Sequence, residues 1–532
     1  MVPSHRYRWA APGDVNAFFG LAIDNVADLV LAVSLLAGVF GYPAEFALTH
    51  FVPGTAIGVV LGDLAFTWMA VQLARRTGRT DITAMPLGLD TPSTFGMVFF
   101  VLGPAFQAGL GEGLDELAAA RHAWHVGMCG IIASGIFKLA CAPFSGLVRR
   151  SVPRAGLLGS LAAIALVLIS FLPTVKILAT PVVGLVALGI VLATLTARIR
   201  LPAGFPGALA AVLVGWGLWW LGTTAGWIPP AAHGGFDPAA ALWPRDWLSA
   251  LKLEWLEAIP DTIPYLPIII PFALGTVIGG IDCAESAAAA GDEYDTSQII
   301  GVEAVATLVA GLCGGVIQST PYIGHPAYKA MGGRAAYTLA TALLVGTAGL
   351  TGSFGYVYEL IPEPALLPIL VFIGLEIAGQ SFHATPVRHY PAVALACVPA
   401  LAALVIIYAD KLIGAGAKPE HALAVELHAI RILAAGFIVT SLVWAAAAAS
   451  LVDRQLTRAG GWFAAAAGMT LFGIIHSPFP GGGLFLPWAM GELPEAAVGC
   501  GPLDVAAGYA ILAGLFCLWA AVTPAGQDHS SP

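Results

Sequence analysis

Several carboxylates sit where a chain this apolar should have none. Asp24, Asp28, Asp90, Asp282, Glu285 and Glu303 fall in or beside runs of hydrophobic residues long enough to cross a bilayer. An ionisable side chain at that depth costs about 2.5–3.5 kcal/mol on insertion scales, so it faces a cavity or a partner. The chemistry open to it there is to accept N–H protons from a ligand or to take up H+ or Na+. Hydroxyls and rings suited to a polar solute lie nearby: Thr91, Ser93, Thr94 and Phe95 in one stretch, and Ser319, Thr320, Tyr322 and His325 in another. Both stretches are broken. Ala84-Met85-Pro86-Leu87-Gly88-Leu89-Asp90-Thr91-Pro92 and Ser319-Thr320-Pro321-Tyr322-Ile323-Gly324-His325-Pro326 carry too much Pro and Gly to be one regular helix.

Interrupted backbone at membrane depth is tolerated only where it is buried in protein or lines a cavity. A half-helix entered through extended chain presents unpaired N–H groups and a partial positive end, here near Thr91 and Tyr322. On this reading Asp90, Thr91, Ser93, Thr94, Phe95, Asp282, Glu285, Ser319, Thr320, Tyr322 and His325 bind the solute. Asp24, Asp28, Asp282, Glu285 and Glu303 are the candidates for a coupling ion, H+ or Na+. Plainer roles stand beside these. Glu303 serves equally as a hydrogen-bonding lock between helices, and His325, with a reference pKa of about 6.5, as a relay or as a packed ring. Asp63 and Glu376 read as structural, and Lys138 as ion-paired or snorkelling rather than a ligand.

The elements that must position these groups follow from composition. The chain has 532 residues, 58% hydrophobic and 10% charged, against about 25% charged in an average soluble domain, and its mean hydropathy is +0.84. It is a polytopic membrane protein. The net charge of -9 and the lack of a basic patch exclude a nucleic-acid partner. The cysteines show neither CxxC nor His-paired spacing and read as small core residues, with no metal site among them. No GxxxxGK[ST] loop is present, which argues against an ATP-driven pump, and no nucleophile–base set points to an enzyme. No cofactor is expected beyond the coupling ion, and no cleavable signal peptide is read at the N-terminus.

Apolar runs of about 20 residues mark spans near 17–40, 53–74, 122–145, 155–173, 176–197, 203–224, 262–290, 297–317, 334–354, 365–380, 390–410, 428–452, 461–478 and 502–524. The broken stretches near 83–103 and 318–332 add two half-helices. The result is about sixteen elements, or fourteen plus a C-terminal pair. Basic residues recur after every second segment: Arg6 and Arg8; Arg75, Arg76 and Arg79; Arg149, Arg150 and Arg154; Arg198 and Arg200; then Arg334, Arg388, Arg454 and Arg458. The positive-inside rule makes those ends and both termini cytoplasmic, in what is expected to be a bacterial inner (plasma) membrane. The stretch from Thr224 to Glu257, with Trp243, Trp247 and Trp255, is then an extracytoplasmic connector. An odd number of spans precedes it, so the second half enters from the opposite side, as in an inverted repeat. Ile23-Asp24-Asn25-Val26-Ala27-Asp28 and Ile281-Asp282-Cys283-Ala284-Glu285 match across the halves, each followed two segments later by a broken element.

The second broken stretch, continued by Ala327-Tyr328-Lys329-Ala330-Met331-Gly332-Gly333-Arg334, resembles the signature of the xanthine/uracil permeases, the nucleobase–ascorbate or nucleobase–cation symporter-2 family. Val302-Glu303-Ala304 resembles the acidic position on that family's ninth helix, and Pro86 to Gly96 its third. The resemblance implies an all-α, 7+7 inverted-repeat transporter fold with broken third and tenth segments. It divides the chain into core helices over 1–145 and 259–354, gate helices over 146–258 (with the connector) and 355–455, and extra helices over 456–532. It also implies elevator-like motion, a gate that forms a homodimer, and an ion-coupled permease for a nucleobase-like heterocycle. A small-anion carrier of the same fold, of the sulfate or bicarbonate type, is the alternative; a channel, an intramembrane enzyme or a carrier of cations follows behind. Tyr322 stands where the family has Asn, and Gly275 and Pro321 replace two acids that clamp the nucleobase. Uracil and xanthine are therefore expected to bind weakly or not at all.

Overall fold

The computed structural model describes residues 7–146, 154–202, 205–229, 237–322, 324–414, 420–479, 484–488 and 501–522. Arg6, Arg149, Arg150, Ile323 and Cys500, and the chain after 522, lie outside the described residues, as does 230–236 of the connector.

The described chain is helical except for two three-residue strands, and every expected span has a counterpart. In order these are α1 (Gly13–Phe40), α2 (Ala44–Thr77), β1 (Leu87–Leu89), α3 (Thr91–Gly111), α4 (Glu116–Cys141), α5 (Ala155–Ala179), α6 (Pro181–Thr196) and α7 (Gly207–Thr224). After the connector come α8 (Leu266–Ala289), α9 (Thr296–Leu312), β2 (Ser319–Pro321), α10 (His325–Ala330), α11 (Ala336–Thr351), α12 (Phe354–Leu360), α13 (Glu363–His383) and α14 (Tyr390–Gly414). The chain closes with α15 (His421–Ala434), α16 (Phe437–Val452), α17 (Leu456–Leu471) and α18 (Pro502–Val522). Among the described residues ten helices are long and apolar enough to cross a membrane, or twelve when α11 with α12 and α15 with α16 each count as one bent span. The chain is thus an integral, multi-pass membrane protein.

Several boundaries differ from expectation, among them the span near 428–452, which is bent by 72° between α15 and α16; two have identifiable reasons. The second span starts at Ala44 rather than near 53, because Pro53 lies inside α2, where it is buried, and does not open the helix. The eleventh ends at Thr351 and turns by 90° into α12. Gly352 makes that turn with φ +74°, and a Cβ there would lie 1.8 Å from the Ala241 carbonyl oxygen of the connector, so only glycine fits.

The strands show the order of the repeats. β1 and β2 pair antiparallel, with Leu87 opposite Pro321 and Leu89 opposite Ser319, and each feeds a helix, α3 or α10. Two equivalent segments meeting head to head is the geometry of an inverted pair, and it matches the 7+7 fold with α17 and α18 added after it.

Packing divides the chain into two compact units. The first comprises Met1–Arg149 and Ile169–Ile373, the second Arg150–Leu168 and Gly374–Pro532. In the first, α2 packs on α11 and α9, α4 on α9 and α8, and α1 on α11. In the second, small residues let helices approach closely: Ala155, Ala162, Ala392, Ala396, Ala445 and Ala449 form one buried seam. Such seams suit lipid, where packing and not water exclusion holds helices together. His389 Nε2 and Arg388 Nε close this unit on Asp453 Oδ1 at 2.8 and 3.0 Å.

Candidate functional site

Extended backbone in lipid must find all its hydrogen bonds inside the protein, and the two-stranded ribbon of the first unit does so with side chains of five helices. Beyond the paired strands, Asp90 N–H donates to Gln318 O (3.0 Å) and Tyr322 N–H to Pro86 O (2.8 Å). The N–H groups of Leu87 and Leu89 donate instead to Asp63 Oδ1 of α2 (3.2 Å) and Asn25 Oδ1 of α1 (3.1 Å). On the other strand, Ser319 O accepts from Lys138 Nζ of α4 (3.1 Å) and Thr307 Oγ1 of α9 (3.4 Å), while Pro321 O accepts from Cys283 Sγ of α8 (3.4 Å). Asn25 and Cys283 are matched positions in the two repeats, and each holds the strand of its own repeat.

Asp24 and Asp28 line the α1 face beside β1 and are buried, with 6% and 0% of their surface exposed. Asp28 Oδ2 accepts the Thr91 hydroxyl at 2.9 Å. A Cβ placed on Gly88 would lie 3.6 Å from Asp24 Oδ2, in ordinary contact, so β1 runs directly beside that carboxylate. Asp24 Oδ1 and Asp28 Oδ1 are buried without a hydrogen-bond partner. Asp90 is half-buried and caps α3, accepting Ser93 N–H at 2.8 Å. Asp28 lies within electrostatic range of both Asp24 and Asp90, so three acids share the junction of α1, β1 and α3.

Behind the ribbon a buried ion pair supplies the opposite charge. Lys138 Nζ is 2.8 Å from Glu303 Oε1, with neither side chain exposed. Gly280 of α8 packs onto Glu303 so closely that a Cβ there would lie 2.9 Å from Oε2. Glu303 therefore faces Lys138 and α8, in range of Asp90. Asp282 and Glu285 are half-buried on α8, the latter about one turn further on.

The remaining expected residues divide by environment. Ser93 and Thr94 turn their hydroxyls onto Asp90 O, both at 3.0 Å. Phe95 is fully buried and stacks on Phe99, with centroids 6.1 Å apart. The Ser319 hydroxyl is buried without a partner, and Thr320 and Tyr322 are half-buried. The donors expected at the half-helix starts are largely spent: Tyr322 N–H on β1, Ser93 N–H on Asp90. A helix start capped by its own carboxylate is not an open anion site.

His325 belongs to a separate cluster with a residue that sequence reading did not single out, Asp292. Fully buried between α8 and α9, Asp292 accepts Thr83 N–H (3.0 Å) and lies 2.5 Å from Lys329 Nζ, 3.3 Å from His325 Nε2 and 3.4 Å from Arg79 Nη1. Burial alone raises its pKa, but the hydrogen bonds from His325, Lys329 and Thr83 outweigh this and hold the carboxyl below the usual range. Arg79 does the same, more simply, to Asp81, at 2.6 Å. Arg79 also bonds to Gly291 O. Asn25, Lys138 and Gln318, which accepts Ser134 Oγ at 2.7 Å, complete the set that organises the ribbon; the signal available for them was a polar residue within an apolar run. Among the described residues no group of three or more His, Cys, Asp or Glu side chains is placed to hold a metal ion.

No known family profile and no curated protein matches the chain. Among solved structures it is similar to the transmembrane domain of a cyanobacterium bicarbonate transporter, BicA, at 16% identity and TM-score 0.42, over 82% of this chain and 97% of that one. It is also similar to the murine solute carrier 26 family member A9 (Slc26a9) anion transporter in the inward-facing state, at 13% identity and TM-score 0.44, over 77% of this chain and 70% of that one. A second SLC26A9 structure aligns at 11% identity and TM-score 0.41, over 73% of this chain and 62% of that one.

Proposed function

We propose that this chain is a cation-coupled secondary carrier of a small polar solute. The observation that carries the reading is the ribbon: two extended segments from opposite repeats meet within the membrane-spanning bundle, beside buried acids with unpartnered oxygens. Discontinuous helices at a repeat interface are how secondary transporters build midplane sites. Asp24, Asp28 and Asp90 outnumber the buried cation of this junction, Lys138, which is already paired. An empty site is therefore costly unless a proton or Na+ neutralises it, and that cost is what couples cation binding to the rest of the cycle.

For the solute, a small anion comes first. The positions where the permease family clamps a nucleobase carry Gly275 and Pro321, both buried and without a carboxylate, one within α8 and one paired into β2. With a cation on the acids, the Ser319 and Thr320 hydroxyls and the nearby Lys138 make the junction acceptable to an anion. A heterocycle with N–H donors is the second reading, favoured by Asp24 Oδ1 and Asp28 Oδ1, which are acceptors awaiting a donor. In either case the helices carrying the ribbon move as the core of an alternating-access cycle.

Proteoliposome uptake tests the proposal. Imposed pH or sodium gradients should drive accumulation of bicarbonate, sulfate or small carboxylates, and uracil and xanthine should compete poorly. Asp28→Asn, Asp282→Asn and Glu285→Gln should each lower gradient-driven uptake while the protein still inserts. Normal accumulation by all three at several pH and sodium values would place the coupling ion elsewhere. Uptake confined to nucleobases would reverse the order of the two solutes.

A further inference from the structure

The first unit holds a second polar concavity, remote from the ribbon in sequence and built from the α1–α2 end of the bundle. It encloses about 340 Å³ between the start of α2, the start of α4 and the connector. Three cations converge on it, Arg121 from α4 and Arg245 and Lys252 from the connector. All three are exposed, and none forms an ion pair among the described residues. Two carboxylates, Asp246 and Glu254, line the same cavity beside His50 and His125, on which they act electrostatically, so the three cations exceed the acids by one.

The wall at His50 is fixed. The His50 ring stacks on Phe46, with centroids 3.6 Å apart, and stands edge-on to Trp124 at 5.0 Å. Trp124 Nε1 donates to Gly314 O at 2.7 Å, and Trp255 Nε1 to Ala250 O at 3.0 Å. These contacts fix the wall that His50 contributes, which lowers the ordering cost of binding there. Two guanidinium forks and an ammonium are the donors that match the oxygens of a tetrahedral oxyanion.

We infer that this cavity binds a phosphate-class oxyanion, at a site distinct from the one that carries the transported solute. The oxyanion has two sources, a soluble ion or the phosphate of a lipid headgroup. Trp243 is 71% exposed, and Leu251 and Leu253 of the same connector are exposed too, so the connector has the aromatic and apolar surface of a segment at the membrane interface.

The test uses the whole protein in phosphatidylcholine nanodiscs. Thermal stability is read against inorganic phosphate, with chloride at matched ionic strength as control, and separately in nanodiscs containing phosphatidic acid without soluble phosphate. The wild type should be stabilised in at least one arm, and the responding arm identifies the source. Arg121→Gln, Arg245→Gln and Lys252→Gln should each weaken the apparent affinity roughly tenfold, the scale of one charge-assisted hydrogen bond. Asp28→Asn should leave it unchanged, which separates this site from the solute site. Arg121→Lys with Arg245→Lys keeps the charge, controls for folding, and should bind with intermediate affinity. Stabilisation no larger than that from chloride in both arms, or undiminished in the three glutamine variants, overturns the inference.

Discussion

Lys138 shows how much one residue in lipid can reveal and how much it conceals. A lone lysine in an apolar run announces a partner, because an unpaired ammonium at that depth is too costly. The sequence could not say which acid, since Glu303 lies on a helix of the other repeat and only the packing of α4 on α9 joins them. Once joined, they are costly to separate. Lys138→Met leaves Glu303 buried without its counter-charge and strips a donor from Ser319 O, and breaking a buried pair in this way costs about 3–5 kcal/mol. Denaturant or thermal unfolding in detergent should show that loss. Lys138→Met combined with Glu303→Leu should recover most of it, because two apolar groups of similar volume need no pairing. A single variant as stable as the wild type would mean that the ammonium is solvated and that the ribbon does not depend on it.

Among the elements, the broken ones were legible from Pro and Gly alone, and the order of spans from apolar length. What stayed hidden was the use of their polar groups. Thr91, Ser93 and Thr94 read as ligand hydroxyls, yet they bond to Asp28 and Asp90, because in lipid the protein must satisfy its own backbone and caps before it offers anything to a solute. Asp292 went unnoticed because it lies in a polar turn, where an acid is unremarked; only the fold brings Thr83, His325 and Lys329 around it. It ties the approach to β1 to α10 after β2, and its charge is part of the tie. Since its folded pKa is depressed, its contribution to stability is complete above the unfolded value of about 3.9. The contribution drains away as the pH falls from there through the lower folded value. Melting temperature followed downward from about pH 5 should fall more steeply for the wild type than for Asp292→Asn, which keeps an acceptor for Thr83 N–H but cannot titrate. Equal slopes would remove Asp292 from the account.

For the whole molecule, sidedness gives every other assignment its direction, and it rests on how charge is distributed over the two ends of the bundle. Arg75 and Arg76 lie in the last turn of α2 with Arg79 just after it, and Lys329 lies in the last turn of α10 with Arg334 just after it. Arg79 and Lys329 meet on Asp292, and Arg334 N–H bonds to Asp14 Oδ1 at 2.8 Å, so these basic turns occupy one end together with the start of α1. The connector lies where α1 gives way to α2, with Gly314 and Trp124 at its base. From the positive-inside rule we propose that the arginine end is cytoplasmic and the oxyanion cavity extracytoplasmic. A cysteine-free version with one new cysteine decides this. At Ser249, in the connector, a membrane-impermeant maleimide should label intact cells. At Thr77, the last residue of α2, the same reagent should label only inverted vesicles. The reverse pattern would turn the molecule over, placing the phosphate-class cavity in the cytoplasm and requiring the driving gradient to act from the other side. Labelling of both positions from one side would break the inverted repeat, since Thr77 and Ser249 must then share a face that the seven spans between the N-terminus and the connector forbid.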